Sequence, residues 1–330
     1  MESSIDIVLT WVDNTDPEWR ELKSFYCSPS EANDSFVGGE NRYTDNGLLR
    51  YVFRGIEKFM PWVRMIHFVT YGHTPKWLQK DNPKLHIVRH KEFISDQYLP
   101  TFNSNAILLN LHRIPDLAEQ FVFFNDDMFA VRPCKNTDFF KKGLPCDMAV
   151  MNPIAAPDLD PFWDMMVNNV MTINKHYSKK KCIRAHLLKW YSPRYGFKSV
   201  FRNLSLSGFR FFPGFYDCHL PNAYLKSSFV EYWEANKSIC EDTCSHKFRN
   251  SEDITEWAIR YWQLAKGAFY PINKSKMGAY VSLKDGSANI FFQKTSYKLM
   301  CLNDECDAKS LEPFVQRFEL LFPEKSSFEL

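Results

Sequence analysis

No run of apolar residues in this chain approaches the roughly 18 needed to cross a bilayer as a helix, so nothing in it reads as a membrane span. The N-terminus offers no basic stretch ahead of an apolar core. Ile5 to Val12 is interrupted by Asp6 and ended by Asp13, with no small-residue cleavage site after it, which argues against a signal peptide. A charge excess is missing too. Against 39 Asp and Glu stand 41 Lys and Arg, a formal charge of +2, far from the basic field of a general nucleic-acid binder. No C-x2-C pair occurs among the nine cysteines, an odd number scattered along the chain, so a disulfide framework is not indicated. Cys240-x3-Cys244 near His246, and Cys301-x4-Cys306, are loose spacings that leave structural zinc the minor reading. The expectation is a reduced, cytoplasmic protein. Internal repeats and low-complexity tracts are absent as well.

Aromatic residues, by contrast, are plentiful. Phe, Tyr and Trp make up 16% of the 330 residues, within an ordinary 45% hydrophobic and 24% charged composition that excludes wholesale disorder. Such rings fill cores and also make the flat walls on which sugars and bases stack. Trp163, Trp190, Trp233, Trp257 and Trp262 fall on helical stripes and read as core.

The first half alternates strand-like and helix-like segments. Asp6 to Trp11, Met65 to Thr70 and Leu85 to Val88 are short β-branched or aromatic runs, and Phe121-Val122-Phe123-Phe124 is the unbroken apolar run of a strand buried on both faces. Between them Leu48, Tyr51, Val52, Ile56 and Phe59 share one helical stripe, closed by Met60-Pro61-Trp62. A short helix is predicted from Lys76 and another over Asn103 to His112. This order predicts an α/β fold, a largely parallel sheet with flanking helices, over residues 1–152. Beyond it, helical periodicity runs over Phe162 to Tyr177, Ala185 to Tyr191, Asn222 to Asn236 and Glu252 to Lys266, the last with Ser251 as N-cap and Gly267 at its end. Strands over Met277 to Leu283 and Asn289 to Gln293, then a docked helix near Leu311 to Leu321, complete a helix-rich half over residues 153–330. Peripheral membrane contact is the lesser reading of that last helix.

Open parallel sheets bind ligands outside the carboxyl ends of their strands. Two such ends carry acids here: the first strand runs into Asp13-Asn14-Thr15-Asp16-Pro17, and the Phe121 to Phe124 strand into Asn125-Asp126-Asp127. Paired acids at a sheet rim cannot both stay charged and buried without a partner. A divalent cation meets that need, and Mg²⁺ favours one or two carboxylates plus substrate phosphates. The plainer reading makes Asp126 or Asp127 the N-cap of the next turn. Repetition at two strand ends favours metal or nucleotide use.

The same residues resemble a known family. Asp6-Ile7-Val8-Leu9-Thr10-Trp11-Val12-Asp13 with Asp16-Pro17 is similar to the first conserved region of the Stealth proteins, hexose-1-phosphate transferases of bacterial capsule synthesis that include the animal GlcNAc-1-phosphotransferase. The second region runs from Arg42-Tyr43 through Leu48-Leu49-Arg50-Tyr51, Ile56-Glu57-Lys58, Pro61-Trp62 and Pro75-Lys76-Trp77-Leu78. It continues over Leu99-Pro100-Thr101-Phe102-Asn103-Ser104-Asn105-Ala106 to Phe124-Asn125-Asp126-Asp127-Met128-Phe129. A third resemblance lies in His219-Leu220-Pro221-Asn222-Ala223-Tyr224 with Phe248-Arg249 and Asp253, and a fourth in Cys301-Leu302-Asn303-Asp304. In order and together, they cover about half the chain. A bacterial enzyme is expected over an animal Golgi one, because the first region begins by Asp6.

The resemblance implies a GT-A-like fold binding a UDP-sugar. On that reading Asp13 lies near the nucleotide, with Trp11, Arg50, Asn103, Asn105 and Asn125 on the donor side. Asp126 and Asp127 hold Mg²⁺ or Mn²⁺ at the diphosphate, and Arg249 and Asp304 complete the site from the second half. His219 serves as the base for an acceptor hydroxyl, since an imidazole can take a proton near neutrality. The implied reaction passes a hexose-1-phosphate to a growing polysaccharide or oligosaccharide, releasing UMP, in capsule or cell-surface polysaccharide synthesis. Contact with a capsule-assembly complex or the inner face of the membrane is compatible with it, and nucleic acid is not a partner. The alternatives are a conventional metal-dependent glycosyltransferase releasing UDP, and a non-catalytic glycan-binding protein, which would have no use for the spaced acids.

Two departures stand out. Asn14-Thr15 replaces the family's Gly-Ser after Asp13, tolerable because Asn accepts left-handed backbone. Asn222 stands where the third region commonly has a second His, leaving His219 as the proton carrier. Each residue also has a plain reading. His219 is then a turn residue, Arg249 a helix cap or a partner of Glu252, and Asn103 and Asn105 helix-start residues. Lys179-Lys180-Lys181 reads as a solvated helix end, with an electrostatic hold on an anionic acceptor as its functional alternative.

Overall fold

Ile5–Thr10 becomes a central strand because neighbours cover both its faces; all but its last residue are buried. In the computed structural model, which describes residues 4–28, 34–37, 39, 43–282, 296–303 and 308–330, the first strands are β1 (Ile5–Thr10), β2 (Ile66–Thr70), β3 (Leu85–Arg89), β4 (Gln120–Phe124) and β5 (Met128–Ala130). Then come β6 (Phe140–Lys141), β7 (Leu144–Asp147), β8 (Asn222–Leu225), β9 (Tyr270–Pro271), β10 (Gly278–Ser282) and β11 (Leu299–Asn303). The main sheet has the order β3-β2-β1-β4-β8. Its first four strands are parallel, and β8 runs antiparallel to β4 with Phe123 opposite Asn222. A second sheet, β10-β11-β5, springs from the residues just after β4, and β6, β7 and β9 make a third.

The longer helices are α1 (Pro17–Tyr26), α2 (Leu49–Phe59), α3 (Ser104–Leu109), α4 (Phe162–His176), α5 (Lys179–Ala185), α6 (Phe197–Ser205), α7 (Lys226–Ala235), α8 (Lys237–Ser245), α9 (Trp257–Lys266) and α10 (Ala308–Leu321). Aromatic residues fill both faces of the main sheet. Phe53, Phe68, Phe124 and Phe129 lie in the cluster on one side, Phe121, Tyr224 and Phe229 in the cluster on the other. Helix α10 docks as expected, with Phe318 stacked 5.2 Å from Tyr51 and 4.7 Å from Phe129. This is the mostly parallel α/β arrangement with flanking helices that the sequence implied. Among the described residues no helix is long and apolar enough to cross a membrane.

Four local expectations change. No helix follows Lys76: Leu78 bridges Glu329, and the Gln79 N–H donates to the Phe328 carbonyl at 2.8 Å, so the C-terminal tail takes that backbone. Residues 222–225 are a strand rather than the start of a helix, because the open edge of β4 offers them a ladder that buries Asn222, Ala223 and Tyr224. Ala185 to Tyr191 divides at His186 between the end of α5 and a four-residue helix, Leu187–Trp190. Helix α9 starts at Trp257, not Glu252, because Asp253 is engaged by distant partners described below; Gly267 does close it, at φ 76°. Arg42, the Asn289 to Gln293 strand, Asp304 and Cys306 lie outside the described residues.

Candidate active site

A cleft of about 410 Å³ opens where β1 and β4 end, and residues from both halves line it. The Thr10 hydroxyl at the end of β1 donates to the Asn125 amide oxygen at 3.0 Å, tying the two strand ends together. Asn125, Asp126 and Asp127 follow into the cleft. The next element is strand β5, not a helix, so neither acid is an N-cap. Asp127 is instead held by β11: its carbonyl accepts the Leu302 N–H at 2.9 Å, and its Oδ2 accepts the Cys301 thiol at 3.3 Å.

The start of α3 forms the opposing wall. Asn103 caps that helix through the Asn105 N–H at 3.0 Å. Its own amide donates to Asp253 Oδ2 at 2.8 Å, as the Asn105 amide does at 3.1 Å. The same carboxylate accepts the Asn250 N–H at 3.1 Å and meets His246 Nδ1 at 2.7 Å. Asp253 thus fastens the loop after α8 to α3, and Phe102 stacks on Phe248 at 5.2 Å beside it. On this scaffold Arg249 reaches the Ser104 hydroxyl, and both residues line the cleft.

His219 is the third contribution. It adopts φ 50°, a left-handed conformation costing a non-glycine residue roughly 1–2 kcal/mol. Asp217 offsets this cost by accepting the His219 N–H at 2.6 Å. Asp217 is itself fixed by the buried Arg260 guanidinium at 3.1 Å, which also makes a paired contact to Asp147 at 2.7 and 2.9 Å. The His219 ring lies edge-on to Trp257 and Tyr280, with centroids 5.6 and 5.1 Å away. Asn222, the departure from the family pattern, accepts from the buried Lys274 ammonium. Asn14 needs no left-handed backbone; its N–H donates to the Tyr43 carbonyl at 2.8 Å.

Not every expected residue reaches the cleft. Asn105, Asn125, Asp126, Asp127, His219 and Arg249 line it. Trp11 does not: it is buried, stacked 5.7 Å from Phe68 and edge-on to His73. Arg50 lies over the Trp77 ring at 5.7 Å, and Asn103 is wholly buried as a helix cap, so neither is part of the lining. Asp13 stands behind the rim, its carboxylate accepting the Thr15 N–H and hydroxyl at 2.9 and 2.7 Å. His73 Nε2 accepts the Asp13 N–H at 3.1 Å, which requires a neutral ring, and burial pushes the His73 pKa down accordingly.

Two acids went unrecognised in the sequence. Glu256, the residue before α9, is buried in the cleft wall, and burial raises its carboxyl to about 7; Asp217 adds to the rise and Arg249 opposes it. Asp45 lines the opposite rim, its carboxyl raised by burial and further by Asp13. Neither lies in a motif that spacing marks, and only their placement shows them.

The donors at hand fit a divalent cation. Asp126 and Asp127 supply carboxylates of the kind Mg²⁺ and Mn²⁺ take. One ligand atom each of Asp127, His219 and Cys301 lies within 4.8 Å of the others, a nitrogen and sulfur complement that suits softer metals. Cys240 and Cys244 are core residues instead: burial pushes both thiols up, that of Cys244 to about 11, and so disfavours the thiolate a metal needs. The described cysteines are free thiols.

Family models match two parts of the chain: Stealth protein CR1, conserved region 1, over residues 3–26, and Stealth protein CR2, conserved region 2, over residues 42–146. The capsular polysaccharide phosphotransferase WcwK of Streptococcus pneumoniae is 40% identical over 98% of this chain and 98% of its own length. The receptor polysaccharide phosphotransferase WefC of Streptococcus oralis is 35% identical, covering 99% and 100%. The exopolysaccharide phosphotransferase cps2G of Lactiplantibacillus plantarum is 35% identical, covering 98% and 96%.

Proposed function

The chain belongs to the Stealth family of phosphotransferases, and we propose that it moves a hexose-1-phosphate or N-acetylhexosamine-1-phosphate from a UDP-sugar to a glycan hydroxyl in cell-surface polysaccharide synthesis. The observation that carries this reading is the meeting of Asn125, Asp126 and Asp127, His219 and Arg249 in one cleft. These are the groups that transfer from a diphosphate requires: anion stabilisers for the phosphate oxygens and a base for the attacking hydroxyl.

In the proposed reaction the donor diphosphate lies along the rim formed by Asn125 to Asp127. Asp126 and Asp127 would hold a divalent cation, which would supply positive charge to the diphosphate oxygens. Arg249 faces the phosphate nearer the sugar, its guanidinium oriented by Ser104. The acceptor hydroxyl attacks that phosphorus in line with the bond to the UMP oxygen, and His219 takes the hydroxyl proton. One P–O bond forms, one breaks, and UMP leaves. The anomeric carbon does not react, so the sugar keeps its configuration.

The distinguishing experiment follows which bond breaks. Incubation with a panel of UDP-sugars and oligosaccharide acceptors should give a product heavier by one hexose or N-acetylhexosamine plus one phosphate. Its ³¹P spectrum should show a phosphodiester, with UMP formed in equal amount. UDP, with a phosphorus-free product, would make the chain a conventional glycosyltransferase and overturn the proposal.

A further inference from the structure

Helix α6 is inside out. Its one buried residue is polar, Asn203, whose amide donates to the Ala149 and Trp190 carbonyls at 2.8 and 2.7 Å while its oxygen accepts the Met151 N–H at 2.8 Å. Phe197, Phe201 and Leu204, spaced as one helical stripe, are 84%, 60% and 53% exposed. Phe209 and Phe211 follow in the next loop, each more than half exposed. These rings are not loose. Lys179 at the start of α5 is buried and donates to the Leu206 and Ser207 carbonyls at 2.6 and 3.1 Å, securing the end of α6. Asn174 exchanges hydrogen bonds with the Phe212 backbone at 2.9 and 3.0 Å. The fold therefore uses buried polar contacts to hold apolar rings in water, where an apolar patch marks a surface made for contact.

Charge identifies the partner. Residues 165–216 contain ten of the chain's 41 Lys and Arg and none of its 39 Asp and Glu, leaving the remainder with an acidic excess. Lys180, Lys181, Arg184, Lys198, Arg202 and Arg210 are all exposed. Two copies of this chain meeting through such a face would bring like charges together. An anionic lipid bilayer meets both needs: the rings enter the boundary between headgroups and acyl chains, and the cations remain at the phosphates.

We propose that α6 and the Phe209–Phe211 loop form a docking surface for an anionic membrane. It is separate from α10, whose apolar face is covered by Tyr51 and Phe129; of the Lys179-Lys180-Lys181 run expected to be solvated, Lys179 is instead buried and only Lys180 and Lys181 are exposed. It adds to the proposed reaction a means of holding the enzyme at a lipid surface, and it stands whether or not that reaction is the right one.

Flotation of the full chain with vesicles tests this. The protein should rise with phosphatidylcholine–phosphatidylglycerol vesicles, stay behind with phosphatidylcholine alone, and lose binding as salt increases. Phe197→Ser with Phe201→Ser, and separately Lys180→Glu with Lys198→Glu, should each weaken partitioning by at least about tenfold while circular dichroism remains that of the parent. Absence of binding to either vesicle overturns the proposal. So does loss with the charge reversals alone, which leaves the α6 rings out of the contact. A dimer that Phe197→Ser with Phe201→Ser dissociates, without vesicle binding, would assign it to a second copy and equally overturn the proposal.

Discussion

The Arg249 guanidinium donates to the Ser104 hydroxyl from Nε at 3.0 Å and from Nη2 at 2.7 Å. Two donors on one oxygen fix the plane of the guanidinium at the cleft wall, and they join segments 145 residues apart in sequence. Arg249 therefore serves neither as a helix cap nor as a partner of Glu252. A lysine cannot reproduce this fork. Arg249→Lys should lower kcat/KM by about 10²-fold, the scale of one lost charge stabiliser. Ser104→Ala, which removes this contact but keeps the guanidinium, should cost about tenfold or less. Steady-state kinetics on both variants checks this ordering, and near-parental turnover in Arg249→Lys would remove the residue from the reaction.

Asp127 accepts from both the Leu302 N–H and the Cys301 thiol, so its carboxylate is positioned before any ligand arrives. Chelation with EDTA should abolish turnover, and Mg²⁺ or Mn²⁺ should restore it. Asp127→Asn should lose at least about 10²-fold in activity while its thermal midpoint stays near that of the parent. Full activity in the chelated enzyme refutes the metal.

The left-handed backbone at His219 makes alanine a poor probe, since it confuses strain with the loss of the ring. Asparagine tolerates that conformation. His219→Asn should reduce turnover by about 10² to 10⁴ as a lost base, with donor affinity and metal affinity little changed. If titration calorimetry shows metal binding weakened instead, His219 is a ligand alongside Asp127 and Cys301, and the base lies elsewhere.

Glu256 gives a stability signature. Its carboxyl is raised by burial to about 7 from an ordinary 4.5, so the unfolded chain loses this proton before the folded protein does. The resulting penalty on folding is absent below about 4.5, grows up to about 7 and is constant above, reaching about 3 kcal/mol. Glu256→Gln should therefore be more stable than the parent at pH 8 by up to that amount, with the gain vanishing near pH 4.5. Denaturant titrations at the two pH values measure it; a variant destabilised at pH 8 would mean that the charged carboxylate has a stabilising partner in the fold.

Some of this was legible from residue order alone. Phe121 to Phe124 reads as a strand because burial on both faces demands unbroken apolar sequence, and Asp6 to Trp11 because its residues are largely β-branched and aromatic. The acids that follow them read as a ligand rim because charge at the end of such a strand needs a partner. Helix α2 followed from its stripe, and α9 from Gly267 at its end. These features depend on neighbours along the chain, and composition and spacing record those neighbours.

The remainder depended on partners distant in sequence. Asn222 to Leu225 reads as the start of a helix, yet β4 presents an open edge that takes it as a strand. Glu252 and Asp253 suit a helix start, yet Asn103, Asn105 and His246 claim the Asp253 carboxylate. Trp11 stands in the motif but packs inward, because its indole fits against Phe68. Glu256 carries no motif; its titration range is set by what buries it. Sequence determined which groups the chain possesses and which backbone runs can be buried. The tertiary structure decided which of those groups face one cleft, because hydrogen bonding and desolvation act between residues that only folding brings within a few ångströms of each other.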